Sequence, residues 1–132
     1  MTTKKSRAKS LASMSNAELV DLFEQLSLAE GEATAALQSS RANRLILRRR
    51  ALLSEMRHRP GDARITLFVL YAHRHPQVRL NVAESTYALN PERARSTIEE
   101  IAASPFQPWS GDAGMSLIAL ENGTSQLPTD PE

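Results

Sequence analysis

Apolar residues recur three and four positions apart through most of this chain, the spacing that lines one side of an α-helix. Leu19, Leu22, Phe23, Leu26, Ala33 and Leu37 keep that spacing, with Ala29 or Glu30 on the inner side, while Glu18, Asp21, Glu24 and Gln25 fall opposite. Ser15 and Glu18 stand at the separation at which a serine hydroxyl and a glutamate carboxylate satisfy each other's backbone N–H groups, so the helix starts near Asn16. Gly31 is a tolerated weak point that costs about 1 kcal/mol against alanine. Ser39-Ser40 breaks the pattern, and a second helix over about 41–58 turns Ala42, Leu45, Ile46, Leu52, Leu53 and Met56 inward.

Pro60-Gly61-Asp62 is a turn with Asp62 as the next N-cap. The run from Ile65 to Tyr71 is the most apolar in the chain. It reads as a central helix, apolar nearly all round, because a strand there would have no second strand to satisfy its ladder. Pro76 sits where a helix begins without losing a hydrogen bond. From it Val78, Val82, Ser85 and Leu89 form one stripe, edged by the small or flat side chains of Ala83, Thr86 and Tyr87. Asn90 then caps a helix opened by Pro91, with Ala94, Ile98, Ile101 and Ala102 inward. Pro105 and Pro108 make the stretch 104–111 a loop, which carries Trp109, and Asp112 is expected to cap a last helix over 113–121, closed by Asn122-Gly123.

Helix, short turn with Pro76, Val78-Arg79 and a small residue at Ala83 resemble one HEAT-type repeat unit over residues 64–89. A second, less faithful unit runs over 91–120 without the Val-Arg pair. No aspartate lies in 71–77, so the resemblance predicts no side-chain ladder between units. From about residue 17 to 123 the chain also resembles a small bacterial family known only as a domain of unknown function, the two-thousand-and-nineteenth of that series. The residues that carry this are Asn43-Arg44, His75-Pro76 through Arg79, Pro91-Glu92-Arg93-Ala94 and Gly111-Asp112-Ala113-Gly114-Met115. That resemblance implies an all-α, HEAT-like fold and no assigned activity.

The expected architecture is therefore about six helices in right-handed antiparallel hairpins, a short α-α superhelix over residues 15–123. A disordered basic tail is expected over 1–14 and a frayed end over 124–132, because neither has enough apolar content to offset the entropy of ordering. At 132 residues the chain is one domain with a real core. No apolar run approaches the ~20 residues of a membrane span and none resembles a secretory signal, so no membrane contact and a cytoplasmic location are expected. The absence of cysteine removes disulfides and thiolate chemistry.

Charge is uneven. Residues 1–60 hold 11 Lys and Arg against 6 Asp and Glu, a balance of +5, and residues 61–132 hold 5 against 9, a balance of −4. Arg41, Arg44 and Arg48 keep helical spacing as one cationic stripe, widened by Arg49 and Arg50. Such a stripe either pairs with Asp21, Glu24 and Glu32 of the first helix or attracts an acidic surface. Arg74 and Arg79 are read as fixing the hairpin to its neighbour, and Trp109 as an interface anchor or a lid folded over the last helices. His73 and His75 are two apart, the wrong spacing for a metal site on one helix face, and nucleophile elbows and glycine-rich phosphate loops are absent.

The sequence thus points to a non-catalytic protein-interaction module. No cofactor or metal is expected, and its binding residues would be Arg41, Arg44, Arg48, Arg74, Arg79 and Trp109. The partner would be a protein, or a second copy of the chain if the first helix is left uncovered. The alternative is a nucleic-acid binder using the arginine-rich helix, which the lack of aromatic residues on that face and a pI of about 8.2 disfavour.

Overall fold

The structure, a computed structural model, describes residues 9–123. The parts of the expected tails at 1–8 and 124–132 lie outside the described residues. The described residues form five α-helices: α1 (Asn16–Ala35), α2 (Ser39–Arg57), α3 (Pro76–Ser85), α4 (Pro91–Ala102) and α5 (Trp109–Glu121). A ten-residue 3-10 helix, Ala63–Ala72, lies between α2 and α3, and a one-turn 3-10 segment, Leu11–Ser13, precedes α1. Among the described residues there is no strand, so the fold is all-α with six helical rods.

Local chemistry sets most of the boundaries. Ser15 and Glu18 form the expected reciprocal cap, with Glu18 N donating to Ser15 Oγ at 3.1 Å and Ser15 N to Glu18 Oε1 at 2.9 Å. His75 Nδ1 caps α3 through the Gln77 N–H at 3.0 Å, ahead of Pro76. Asn90 caps α4 through the Arg93 N–H at 3.2 Å, ahead of Pro91. Residues 9–14, expected as tail, join the helical unit: Leu11 packs against the core and its carbonyl accepts from Arg59 Nη2 at 2.9 Å.

The end of α1 departs from the periodic pattern. Leu37 takes a left-handed conformation, φ 60°, while Gln38 N donates to Ala33 O and Leu37 N to Thr34 O. These two bonds make a Schellman motif, which satisfies the last carbonyls and swings Leu37 out, 88% exposed, instead of inward. The three-residue link and the extensive α1–α2 contact fold α2 back along α1 as a hairpin. The second helix starts at Ser39 rather than Arg41, so the serines open it instead of breaking the chain.

The apolar run at 65–71 is helical but not α-helical. Its chain turns through Gly61 (φ 74°) and Asp62 (φ 56°), and Ile65, Thr66 and Val69 are β-branched, which lowers α-helical propensity. Three residues per turn put Arg64, Leu67 and Leu70 on one buried line, whereas Ile65 and Val69 face solvent. The rod buried nearly all round is instead α3, which touches α1, the 3-10 helix, α4 and α5. Gln77, Val78, Leu80, Asn81, Val82, Ala83 and Ser85 are all buried. It stops at Ser85, four residues before Leu89, where Thr86 Oγ1 donates to Val82 O at 2.7 Å and residues 86–89 turn.

α5 begins at Trp109, not at Ala113, following the cis Gln107-Pro108 peptide. Asp112 is therefore in its first turn instead of capping it. Gly123 closes the helix at φ 70°. No helix of the described residues is long and apolar enough to cross a membrane.

Candidate functional site

A polar seam runs through the middle of the molecule, built on Gln77 and Asn81 of α3. These are four apart and so share a helix face. Gln77 Nε2 donates to Asn81 Oδ1 at 3.0 Å, and Asn81 Nδ2 donates to Ser27 Oγ and to Glu30 Oε1 of α1, each at 3.0 Å. Glu30 also receives Arg49 of α2, whose Nη2 lies 3.2 Å from Oε1. Trp109 Nε1 of α5 donates to Gln77 Oε1 at 2.9 Å. Four α-helices thus meet at one connected network, a side-chain ladder that the sequence did not predict.

The signal for it was present in α3, which carries only Arg79 and Glu84 as charged residues between Pro76 and Ser85. A helix with so little solvated surface is buried on more than its apolar stripe, so its amides must find protein partners. Gly31 lies at the same contact. A Cβ there would lie 3.0 Å from His75 Cε1 and 3.1 Å from Gln77 Cβ, so any larger residue would push these side chains back by a few tenths of an ångström where α3 meets α1.

The histidines serve the turn into α3. His73 Nε2 donates to Glu24 Oε2 at 2.9 Å and its Nδ1 accepts from His75 N at 3.0 Å. His75 packs edge-on against Trp109, ring centroids 5.1 Å apart. Burial and the neighbouring His73 hold its pKa below the usual histidine range. Among the described residues, no group of three or more His, Asp and Glu is placed to hold a metal ion.

Beside the seam lies a cavity of about 350 Å³, between the α1–α2 turn, α3 and the first turn of α5. Its lining includes the polar residues Glu30, Gln77, Asn43, Gln38 and Asp112 and the apolar residues Ala33, Leu37, Ala42 and Ile46. The Asp112 carboxylate makes no hydrogen bond or ion pair among the described residues, and desolvation raises its pKa.

Glu84 of α3 is half-buried and accepts from Ser116 Oγ of α5 at 2.7 Å. Burial first, then Glu30 and Asp112, push its pKa above the ordinary 4.5, against the opposing pull of Ser116 and Arg49. The folded chain therefore holds this proton more tightly than the unfolded chain. Glu84 costs the fold nothing below pH 4.5, and its penalty grows as pH rises through the folded-state value. Glu84→Gln, which keeps an acceptor for Ser116, is expected to raise stability at pH 7 by about 1 kcal/mol, in the range of single stabilising substitutions. Thermal melts at pH 7 and pH 4 check this: the gain should vanish at the lower pH.

The six residues predicted for binding separate in the structure. Arg41 lies 3.8 Å from Glu32 and 3.3 Å from Gln38, and Arg49 turns inward to Glu30. Arg44 and Arg48 are exposed and make no ion pair or hydrogen bond among the described residues, as does Arg50. Of the acids expected to neutralise the stripe, Glu32 alone does so, since Glu24 is taken by His73. Arg79 joins α3 to Glu100 of α4, as expected of a residue fixing the hairpin, whereas Arg74 is exposed without a partner among the described residues. Trp109 is half-buried on His75 and Gln77 at the start of α3, not folded over the last helices, and Phe106 is the exposed aromatic of that region.

The family model described as "Domain of unknown function (DUF2019)" matches residues 17–121. The crystal structure of the protein RPA1889 from Rhodopseudomonas palustris CGA009 is 36% identical to this chain, with a TM-score of 0.82. The likeness covers 90% of this chain and 98% of that one. No curated protein matches.

Proposed function

Because this chain belongs to the DUF2019 family, a domain of unknown function, its role has to be read from its own surface, and we propose that it is a non-catalytic protein-interaction module. The partner is an acidic protein surface, received on the outer face of α2 in a short HEAT-like stack.

One observation carries this reading. Arg44, Arg48 and Arg50 are exposed without a partner among the described residues, and they surround Leu47, which is 61% exposed. A solubilising face would spread its charges among acids of the same chain, as Arg41 and Arg49 do. Unneutralised cations around an apolar centre give a partner both long-range attraction and a surface to desolvate. The polar groups of the interior support a non-catalytic role, since Gln77, Asn81 and Glu30 are engaged with one another.

The test is capture of partners from native lysate by the wild-type chain and by Arg44→Glu/Arg48→Glu. Reversal of two contact charges is expected to weaken the captured partner by about 2 kcal/mol or more, roughly 30-fold, with thermal stability changed by less than about 0.5 kcal/mol. An unchanged set of captured proteins removes the reading. Salt-sensitive retention on immobilised DNA that the same variant abolishes would replace it with nucleic-acid binding.

A further inference from the structure

We propose that the cavity between the α1–α2 turn and the start of α5 binds an aliphatic cation, a guanidinium or ammonium group on a short apolar stem. This site lies apart from the outer face of α2 and does not depend on it.

The cavity's size, about 350 Å³, falls in the range of small-ligand sites. Its lining combines two kinds of residue: Ala33, Ala42 and Ile46, which suit a hydrocarbon stem, and the acidic residues Glu30 and Asp112. Among the described residues, no lysine or arginine lines it. Arg49 reaches Glu30 from α2, so one of the two charges is already balanced. The charge of Asp112 is not balanced, because its carboxylate has no partner among the described residues. A bound cation would supply the partner that the protein withholds, while Asn43 and Thr34 on the same lining offer further oxygen acceptors to the N–H groups. An anion would meet the opposite conditions, with two carboxylates and no basic side chain on the wall.

The occupied state has a built-in reporter. Gln77 lines the cavity and accepts the indole N–H of Trp109, the single tryptophan of the chain. A cation that draws on Glu30 or Gln77 disturbs that hydrogen bond, and so the indole resonance and emission of Trp109.

The experiment titrates the full chain with agmatine, with acetyl-Gly-Arg-Gly-amide and with pentanol as a neutral aliphatic control, following Trp109 fluorescence and the indole N–H resonance. A saturable response to agmatine or the peptide, with a dissociation constant of about 1 mM or below and none to pentanol, is expected for a small ligand of this kind. Tighter binding of agmatine marks the natural ligand as a free small molecule, and tighter binding of the peptide marks it as a side chain of another protein. Asp112 is exposed, so Asp112→Asn and Asp112→Lys should fold as the wild type does, which a thermal melt verifies. Asp112→Asn should weaken binding about tenfold, the effect of losing one charge-assisted hydrogen bond, and Asp112→Lys should abolish it. No saturable response, equal affinity in the Asp112 variants, or an equal response to pentanol overturns the proposal. Cation binding with no partner captured through α2, or the reverse, separates this site from the outer face of that helix.

Discussion

Glu30→Ala is expected to remove about 3–5 kcal/mol of stability, the loss seen when one member of a buried ion pair is deleted and the other is left uncompensated. Glu30 is 7% exposed and stands at the crossing of three helices. Its carboxylate holds Arg49 of α2 and the amides of Gln77 and Asn81 of α3, all of which lose an acceptor in the variant. Water replaces the carboxylate poorly there, because Ser27, Gln77 and Asn81 are buried with it. Set against the 5–15 kcal/mol that a domain of this size has in total, the variant should be close to unfolding at physiological temperature. Urea denaturation at pH 7 measures it. The same deletion in an Arg49→Ala background should cost less, since the orphaned guanidinium is then absent, and the difference gives the coupling between the two. A loss below about 1 kcal/mol in the single variant would show that the seam is solvated and contributes little.

Asp62→Ala is the second large effect, also expected at about 3–5 kcal/mol. Arg64 is 2% exposed, and Asp62 accepts from its Nε at 2.9 Å, its Nη2 at 2.7 Å and its backbone N at 3.2 Å. Among the described residues, the one other acceptor of that guanidinium is Ser85 O at 3.4 Å. Alanine removes this fork, and at φ 56° it is also a poorer occupant than aspartate or asparagine. Asp62→Asn, which keeps the backbone conformation and one acceptor, should therefore lose less. Hydrogen bonds from Arg64 hold the Asp62 carboxyl below the ordinary 3.8. Its contribution is thus complete above pH 3.8 and is lost as pH falls through the folded-state value. Urea midpoints between pH 2 and pH 7 should converge for wild type and Asp62→Asn at the acid end. Parallel curves would assign the stability to something other than this pair.

Four of the helix starts were legible because they rest on neighbours in sequence. Ser15 with Glu18, Gly61 with Asp62, His75 with Pro76 and Asn90 with Pro91 each bring their own donors, acceptors or fixed dihedral angle, and each does in the structure what its sequence implies. The same was true of the six-rod, all-α architecture. The candidate site was far less legible. Of its members, Glu30 was one of two alternatives for an inner position, Trp109 was known only as an anchor or a lid, and Gln77, Asn81 and Ser27 were not singled out.

Neighbouring residues were enough to place the starts of α1, the 3-10 helix, α3 and α4 and the apolar side of α1, α2 and α4, since caps, prolines and 3.6-residue spacing act within a few residues, whereas the starts of α2 and α5 fell two and four residues earlier than the pattern implied. Tertiary structure alone decided which rod became the centre. It wound residues 63–72 as a 3-10 helix with Ile65 and Val69 outside, and buried α3 with its amides facing Glu30. It also divided the arginines of α2, turning Arg49 onto a buried carboxylate and leaving Arg44 and Arg48 without one among the described residues. Spacing fixes a face, but whether a polar group on that face is costly or stabilising depends on the partner that another helix brings to it, and that partner lies tens of residues away.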